Sequence, residues 1–283
     1  MRSTSVLVTL ALVAVPLMAA MPSNAVAPES CKPGVAFQSD DVRIWFAGHK
    51  GFFKVFDTNG SEDEGPTHFD YQMGGVSEFT DDNAALATMS LDEAFPQTST
   101  CEIVETEEFV NMTISITDDV RDGGHRIGTA TVDFVYHFNK SSNGAKFDLF
   151  VEDWPWQGEE TELAYDFRVH AANGELSEAE NGIGYSDENG NPRGYIEWAP
   201  NATAIYEDEH EETAIVDSET ANDGQNAHVN LRFTNVTAGY TLLEYDPWMG
   251  SGFWIIVGPL LVGLAPVEDL LPAGVLSSLR ALL

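Results

Sequence analysis

The sequence predicts an antiparallel all-β protein, with a β-sandwich, one large or two small, as the expected architecture. Three observations predict it. Leu163, Tyr165, Phe167 and Val169 alternate with Ala164, Asp166, Arg168 and His170, the period-2 pattern of a strand with one buried and one wet face. The same alternation recurs at Val132, Phe134, Tyr136 and Phe138, and at Ala227, Val229, Leu231 and Phe233. Helical periodicity is almost absent before residue 250, while turn signals recur at fairly regular spacing, as in sandwiches and barrels.

Taken in order, the first expected strands are Arg43 to Phe46 and Phe52 to Phe56, followed by an acidic loop from Asp57 to Pro66. Weaker strand patterns cover 67–72 and 75–80. Ser90 to Phe95 reads as one helical turn, capped by Ser90 and stopped by Pro96. Residues 102–117 and 126–138 form an expected hairpin turning at Asp122-Gly123-Gly124. Phe147, Leu149 and Val151 lead into Trp154-Pro155-Trp156-Gln157-Gly158, where Pro155 removes a donor. Together with 163–170 this reads as a long hairpin with two tryptophans in its connection. Residues 171–191, rich in Gly, Glu and Asn, read as loop. Strands are expected again at 194–198, 213–216, 227–233 and 240–245. The alternative to one large sandwich is a division into two near residues 138–146.

The chain of 283 residues carries 46 acidic and 13 basic side chains, a formal net charge of −33. Such a surface repels phosphate backbones and excludes nucleic acid as a partner. Self-repulsion at this charge is relieved where salt is high, and the composition resembles that of extracytoplasmic proteins of salt-loving archaea. Residues 1–27 read as a signal peptide: Arg2, an apolar run from Val6 to Ala20, and a small-residue cleavage site at Ala25-Val26-Ala27 or Ser23-Asn24-Ala25. The acidic ectodomain would then run over 28–246. Pro247 to Val267 carries no charge, about the length that spans a bilayer, so 247–283 is expected to be a membrane anchor. Packing of the same segment against the domain is the competing expectation.

Cys31 and Cys101 are an even pair in an expected oxidising compartment. They read as one disulfide closing a loop of about 70 residues, worth roughly 4 kcal/mol in the chain-entropy model. Asn59, Asn111, Asn139, Asn201 and Asn235 each begin an Asn-X-Ser/Thr sequon, as on a cell-surface glycoprotein.

Catalytic chemistry is poorly signposted. There is no G-x-S-x-G elbow, and the seven histidines are scattered singly. No paired-histidine spacing suggests zinc. Two acidic Asn-Gly segments resemble half of a calcium loop: Asp57, Asn59, Ser61 and Asp63 around Gly60, and Asp187, Asn189 and Asn191 around Gly190. Structural calcium is the one cofactor they suggest, although plain turns give the same strings. Trp154, Trp156 and Trp198 could present an aromatic platform to sugar rings or act as core plugs. The expected function is therefore a non-enzymatic, exported, membrane-tethered surface glycoprotein serving as a structural or adhesion module, with surface proteins or glycans as its candidate partners. The alternative is a carbohydrate-binding module or glycan-active hydrolase using the Trp154/Trp156 loop.

Overall fold

The structure is a computed structural model that describes residues 34–38, 42–47, 51–57, 68–140, 144–250, 256–257 and 260–261. Strands β1 (Gly34–Gln38), β2 (Val42–Ala47), β3 (Phe52–Asp57), β4 (His68–Thr80) and β5 (Ala85–Ser90) precede a short helix, α1 (Leu91–Thr98). There follow β6 (Ser99–Glu105), β7 (Phe109–Asp122), β8 (His125–Asn139), β9 (Gly144–Glu152), β10 (Thr161–Ala172), β11 (Gly174–Ala179), β12 (Gly182–Asp187) and β13 (Pro192–Glu197). The last are β14 (Asn201–Ile205), β15 (Glu211–Asn222), β16 (Asn226–Thr234), β17 (Leu242–Tyr245), β18 (Trp248–Gly250), β19 (Ile256–Val257) and β20 (Leu260–Leu261).

The expected sandwich is corrected to a closed, ten-stranded antiparallel barrel. The ring runs β4–β10–β16–β15–β14–β17–β9–β8–β7–β5 and back to β4. Strand β4 makes closure possible because it is long. One edge pairs with β10 from Thr80↔Thr161 to His68↔Ala172. Its other edge is shared, with β3 taking Phe56↔His68 to Phe52↔Gln72 and β5 taking Gly75↔Ser90 onward. The seam between β5 and β7 is a single bridge, Thr88↔Arg121. Alternation gives each strand one buried face in a sandwich and in a barrel alike, so the periodicity could not separate the two.

Further strands extend the wall. Strands β1, β2 and β3 continue from β4, β6 lies along β7, and β18, β13, β12 and β11 continue from β9. The segment 171–191, expected as loop, thus contains a hairpin. Leu176, Ile183 and Tyr185 supply its buried face, a pattern diluted in the sequence by Gly and Glu. The β7–β8 hairpin is as expected: Gly123 and Gly124 adopt φ of +52° and +93°, the left-handed pair a two-residue turn requires. Pro96 does not stop α1, which continues to Thr98.

The largest departure concerns β9 and β10. They are not a hairpin. Strand β9 pairs with β8, β17 and β18, and β10 pairs with β4 and β16. In the ring they stand diametrically opposite, five steps apart either way round. The tryptophan connection, residues 153–160, therefore crosses one end of the barrel.

Inward faces fill the barrel with aromatic rings. Tyr136 stacks against Phe147 at 5.4 Å, Tyr71 lies 5.2 Å from Phe167, and Phe134 lies 5.8 Å from Tyr165. Each such side chain contributes about 1.5–3 kcal/mol on burial. Tyr71 and Tyr165 hydrogen-bond through their hydroxyls, and burial pushes both phenol pKa values up.

The expected membrane anchor is also corrected. Its first residues belong to the folded wall: Pro247 O accepts from Phe147 N at 3.2 Å, and Trp248–Gly250 is strand β18 between β9 and β13. Farther on, Ile256–Val257 pairs with Leu260–Leu261 as a two-stranded hairpin. Among the described residues no helix is long and apolar enough to cross a membrane. The membrane as partner, and the membrane-anchored location built on it, are overturned with the anchor. Uncharged length measures how apolar a segment is and leaves open which backbone groups it pairs with. The expected signal peptide, 1–27, lies outside the described residues.

Candidate functional site

The expected tryptophan platform is a plug. Trp154 is buried, and its Nε1 donates to Glu78 Oε2 at 3.0 Å. Glu78, itself fully buried on β4, also accepts from Gln157 N (2.9 Å), Gly158 N (3.1 Å) and Thr161 Oγ1 (2.8 Å). One carboxylate thereby satisfies the donors that Pro155 and Gly158 prevent from joining a ladder. On the far side, Asp153 N donates to Thr241 O, and half-buried Trp156 donates through Nε1 to Tyr240 O and packs edge-on against the Tyr240 ring. Trp198 is buried against Phe167, away from this connection. The structure does not bring the three indoles together on an open face.

The second acidic turn is closed by protein donors. Asp187 Oδ1 accepts from Asn189 N and Asn191 N, both at 2.9 Å, and Oδ2 accepts from Arg193 NH2 at 2.8 Å. Burial alone would raise its pKa, but these bonds from Asn191, Arg193 and Asn189 hold the carboxyl well below the usual range. A guanidinium stands where a cation would be expected. Of the first acidic turn, Asp57 ends β3, and Asn59, Ser61 and Asp63 lie outside the described residues. No group of three or more metal-ligating side chains converges among the described residues.

Of the sequons, Asn59 lies outside the described residues and Asn139 ends β8. Asn111 is half-buried on β7, its Oδ1 3.0 Å from His137 Nδ1. Asn201 and Asn235 are exposed, Asn235 at a left-handed φ of +62° just after β16. The expected Cys31–Cys101 disulfide is not established among the described residues, because Cys31 lies outside them. Cys101, on β6, is not a free thiol.

A different site emerges on the outer wall. Strands β3, β4, β10, β16 and β15 lie side by side there, and their wet faces form rows across the sheet. One row is Phe52, Gln72, Arg168, His228 and Ala221, by the pairings Phe52↔Gln72, Gln72↔Arg168, Arg168↔His228 and His228↔Ala221. The next is Lys54, Asp70, His170 and Asn226. The two rows, apart from Lys54, line an open groove of about 450 Å³.

Most polar groups in the second row are occupied. Asp70 Oδ1 lies 3.4 Å from Lys54 Nζ and 3.3 Å from His68 Nε2. His170 Nδ1 is 2.9 Å from Asn226 Oδ1, and Asp223 Oδ1 accepts from Asn226 N at 2.7 Å. In the first row, the side chains of Gln72 and Arg168 have no hydrogen-bond partner among the described residues. Every other described Lys or Arg is in an ion pair or, for Arg43, lies over an aromatic ring. Two adjacent, unengaged planar groups thus face the groove.

At its edge β4 carries a bulge. Asp166 pairs with Gly75 and Phe167 with Met73, so Gly74 is the extra residue. A Cβ on Gly74 would stand 1.8 Å from Asp166 Oδ2, so only glycine leaves room for that carboxylate. Burial raises the Asp166 pKa, opposed by His228 (3.8 Å away), the Gly75 amide and Arg168.

The sequence placed Arg168, His170 and His228 on the wet faces of their strands, yet pointed away from the groove. Singly scattered histidines and one arginine read as solvated surface until β4 and β16 are known to flank β10. The Gly74-Gly75 pair was the one local signal of a bulge.

These features define a closed antiparallel β-barrel with a plugged end and a polar groove on its wall. No protein-family model matches the chain, and no curated protein matches it. Among solved structures it has a weak, distant likeness to an alpha-mannosidase from Enterococcus faecalis V583, with a TM-score of 0.41 at 9% identity. The match covers 79% of this chain and 30% of that enzyme. The chain therefore spans less than a third of that protein, and the likeness is too remote to carry an argument about activity.

Proposed function

We propose that this barrel is a carbohydrate-binding protein whose saccharide lies in the groove between β3 and β15, with the tryptophan plug serving the fold. The observation that carries this reading is the row Phe52–Gln72–Arg168–His228: an aromatic side chain beside planar polar groups, two of them unengaged. Sugar recognition uses that combination, an apolar surface for the C–H face of a pyranose and bidentate hydrogen-bonding groups for its hydroxyls. The interior is filled by aromatic rings, which favours the outer wall.

Binding fits the groove better than hydrolysis. Of the nearby carboxylates, Asp166 does not line the groove, and Asp70, paired with His170 four residues along β10 from it, stands roughly 13 Å away at the rise of a strand. Glycosidase pairs stand at about 5–9.5 Å. Asp223 is held by the amides of Gln225 and Asn226, and Asp70 stands in an ion pair with Lys54, which suits a binding surface.

A glycan array followed by titration calorimetry tests the reading. Retained oligosaccharides should lose affinity roughly tenfold in Phe52→Ala and Gln72→Ala and keep it in a folded Trp156→Ala variant. Loss confined to Trp156→Ala, or no retained glycan in high salt, would overturn it.

A further inference from the structure

We infer that the groove selects acidic saccharides, a hexuronate unit whose carboxylate is received by Arg168. This deepens the saccharide-groove reading and rests on it. In a chain of net charge −33, Lys and Arg side chains are scarce, and among the described residues they are otherwise committed to internal partners. Arg193 is held by Asp187, Arg232 lies 3.6 Å from Glu162, Lys146 lies between Asp148 and Asp246, and Arg121 and Arg126 share Asp119. Arg168 is exposed at the centre of β10, in the middle of the groove, with no direct ion pair. Asp166, two residues away on the same face, attracts Arg168 without a direct ion pair and is held by the Gly75 amide and His228.

A guanidinium accepts a carboxylate through two parallel N–H donors, a geometry that no hydroxyl reproduces. Gln72 and His228 flank Arg168 in register, placed to hydrogen-bond the ring hydroxyls on either side, with Phe52, over whose ring Lys54 Nζ lies at 5.4 Å, beyond Gln72 for the apolar edge. The other acids of the groove weaken an incoming anion little. Asp70 is paired with the Lys54 ammonium at 3.4 Å, and Asp223 is capped by the backbone amides of Gln225 and Asn226. The remaining negative charge of the chain acts at long range, and at about 1 M salt the screening length is roughly 3 Å. Short bidentate bonds survive that screening.

The test compares an oligogalacturonate with its carboxyl-reduced counterpart, which has the same ring and hydroxyls without the charge. Binding is measured by calorimetry to the full chain at about 1 M salt with wild type, Arg168→Gln and Arg168→Lys, each checked for an unchanged melting temperature. The acidic oligomer should bind at least about tenfold tighter than the reduced one. Arg168→Gln should erase that preference, and Arg168→Lys should restore part of it. Equal binding of the two oligomers, or a preference that persists in Arg168→Gln, would overturn the inference and leave the saccharide groove standing. Binding of neither oligomer, with no other glycan retained on an array, would overturn both.

Discussion

Trp154 Nε1 donates across 3.0 Å to Glu78 Oε2 and so ties the connection between two opposite strands to a third strand, β4. The same carboxylate receives two backbone amides and the Thr161 hydroxyl. Glu78→Ala should therefore strand several buried donors at once and destabilise by about 3–5 kcal/mol. Glu78→Gln should also destabilise, because its NH2 faces donors. Urea midpoints at unchanged m-value measure both. A loss below about 1 kcal/mol in Glu78→Ala would mean that the plug is held by packing alone.

Gly74→Ala should destabilise by roughly 1–3 kcal/mol, since the new methyl would meet Asp166 Oδ2 at 1.8 Å. Because the clash is with one side chain and its own backbone, Gly74→Ala combined with Asp166→Ala should recover part of that loss. A double-mutant cycle reads the coupling, expected at about 0.5–3 kcal/mol. Strict additivity would contradict the bulge geometry.

Asp187 links stability to pH. Its folded-state pKa lies below the ordinary carboxylate value. The stabilisation it brings is fully present above the unfolded value, about 3.9, and is lost as pH falls from there through the folded value. Asp187→Asn should lower the melting temperature at pH 7, and its gap to wild type should close below about pH 4. A gap that stays constant into acid would show that Arg193 and the turn amides do not depend on the charge.

Salt should stabilise the barrel. With 46 acidic and 13 basic side chains, repulsion across the surface falls as the screening length shortens from about 10 Å at 0.1 M to roughly 3 Å at 1 M. The melting temperature should rise steeply between dilute buffer and about 2 M KCl. An unchanged value would refute the reading of the composition as adapted to salt.

The sequence by itself determined which residues of the clearly alternating strands turn to the core, although Ala164, on the expected wet face, is buried as well. Leu163 to Val169, Ala227 to Phe233 and Val132 to Phe138 bury the residues their alternation assigned to the core, and Gly123-Gly124 makes the turn it should. These are local properties, set by the two-residue repeat of an extended chain and by backbone conformations open to glycine. Which strands are neighbours was decided only by the tertiary structure. Phe147 to Val151 and Leu163 to Val169 look like the arms of one hairpin, yet β9 and β10 face each other across the barrel because each finds its partner in distant segments. That choice turns Trp154 inward, gives Glu78 its four donors, and carries the short uncharged stretch at Trp248 into the wall. It also sets Gln72, Arg168 and His228 in one row, although 96 and 60 positions separate Arg168 from its two neighbours in the sequence. Hydrogen-bond ladders are indifferent to side-chain type, so such a row is written in the pairing of strands and not in any one of them.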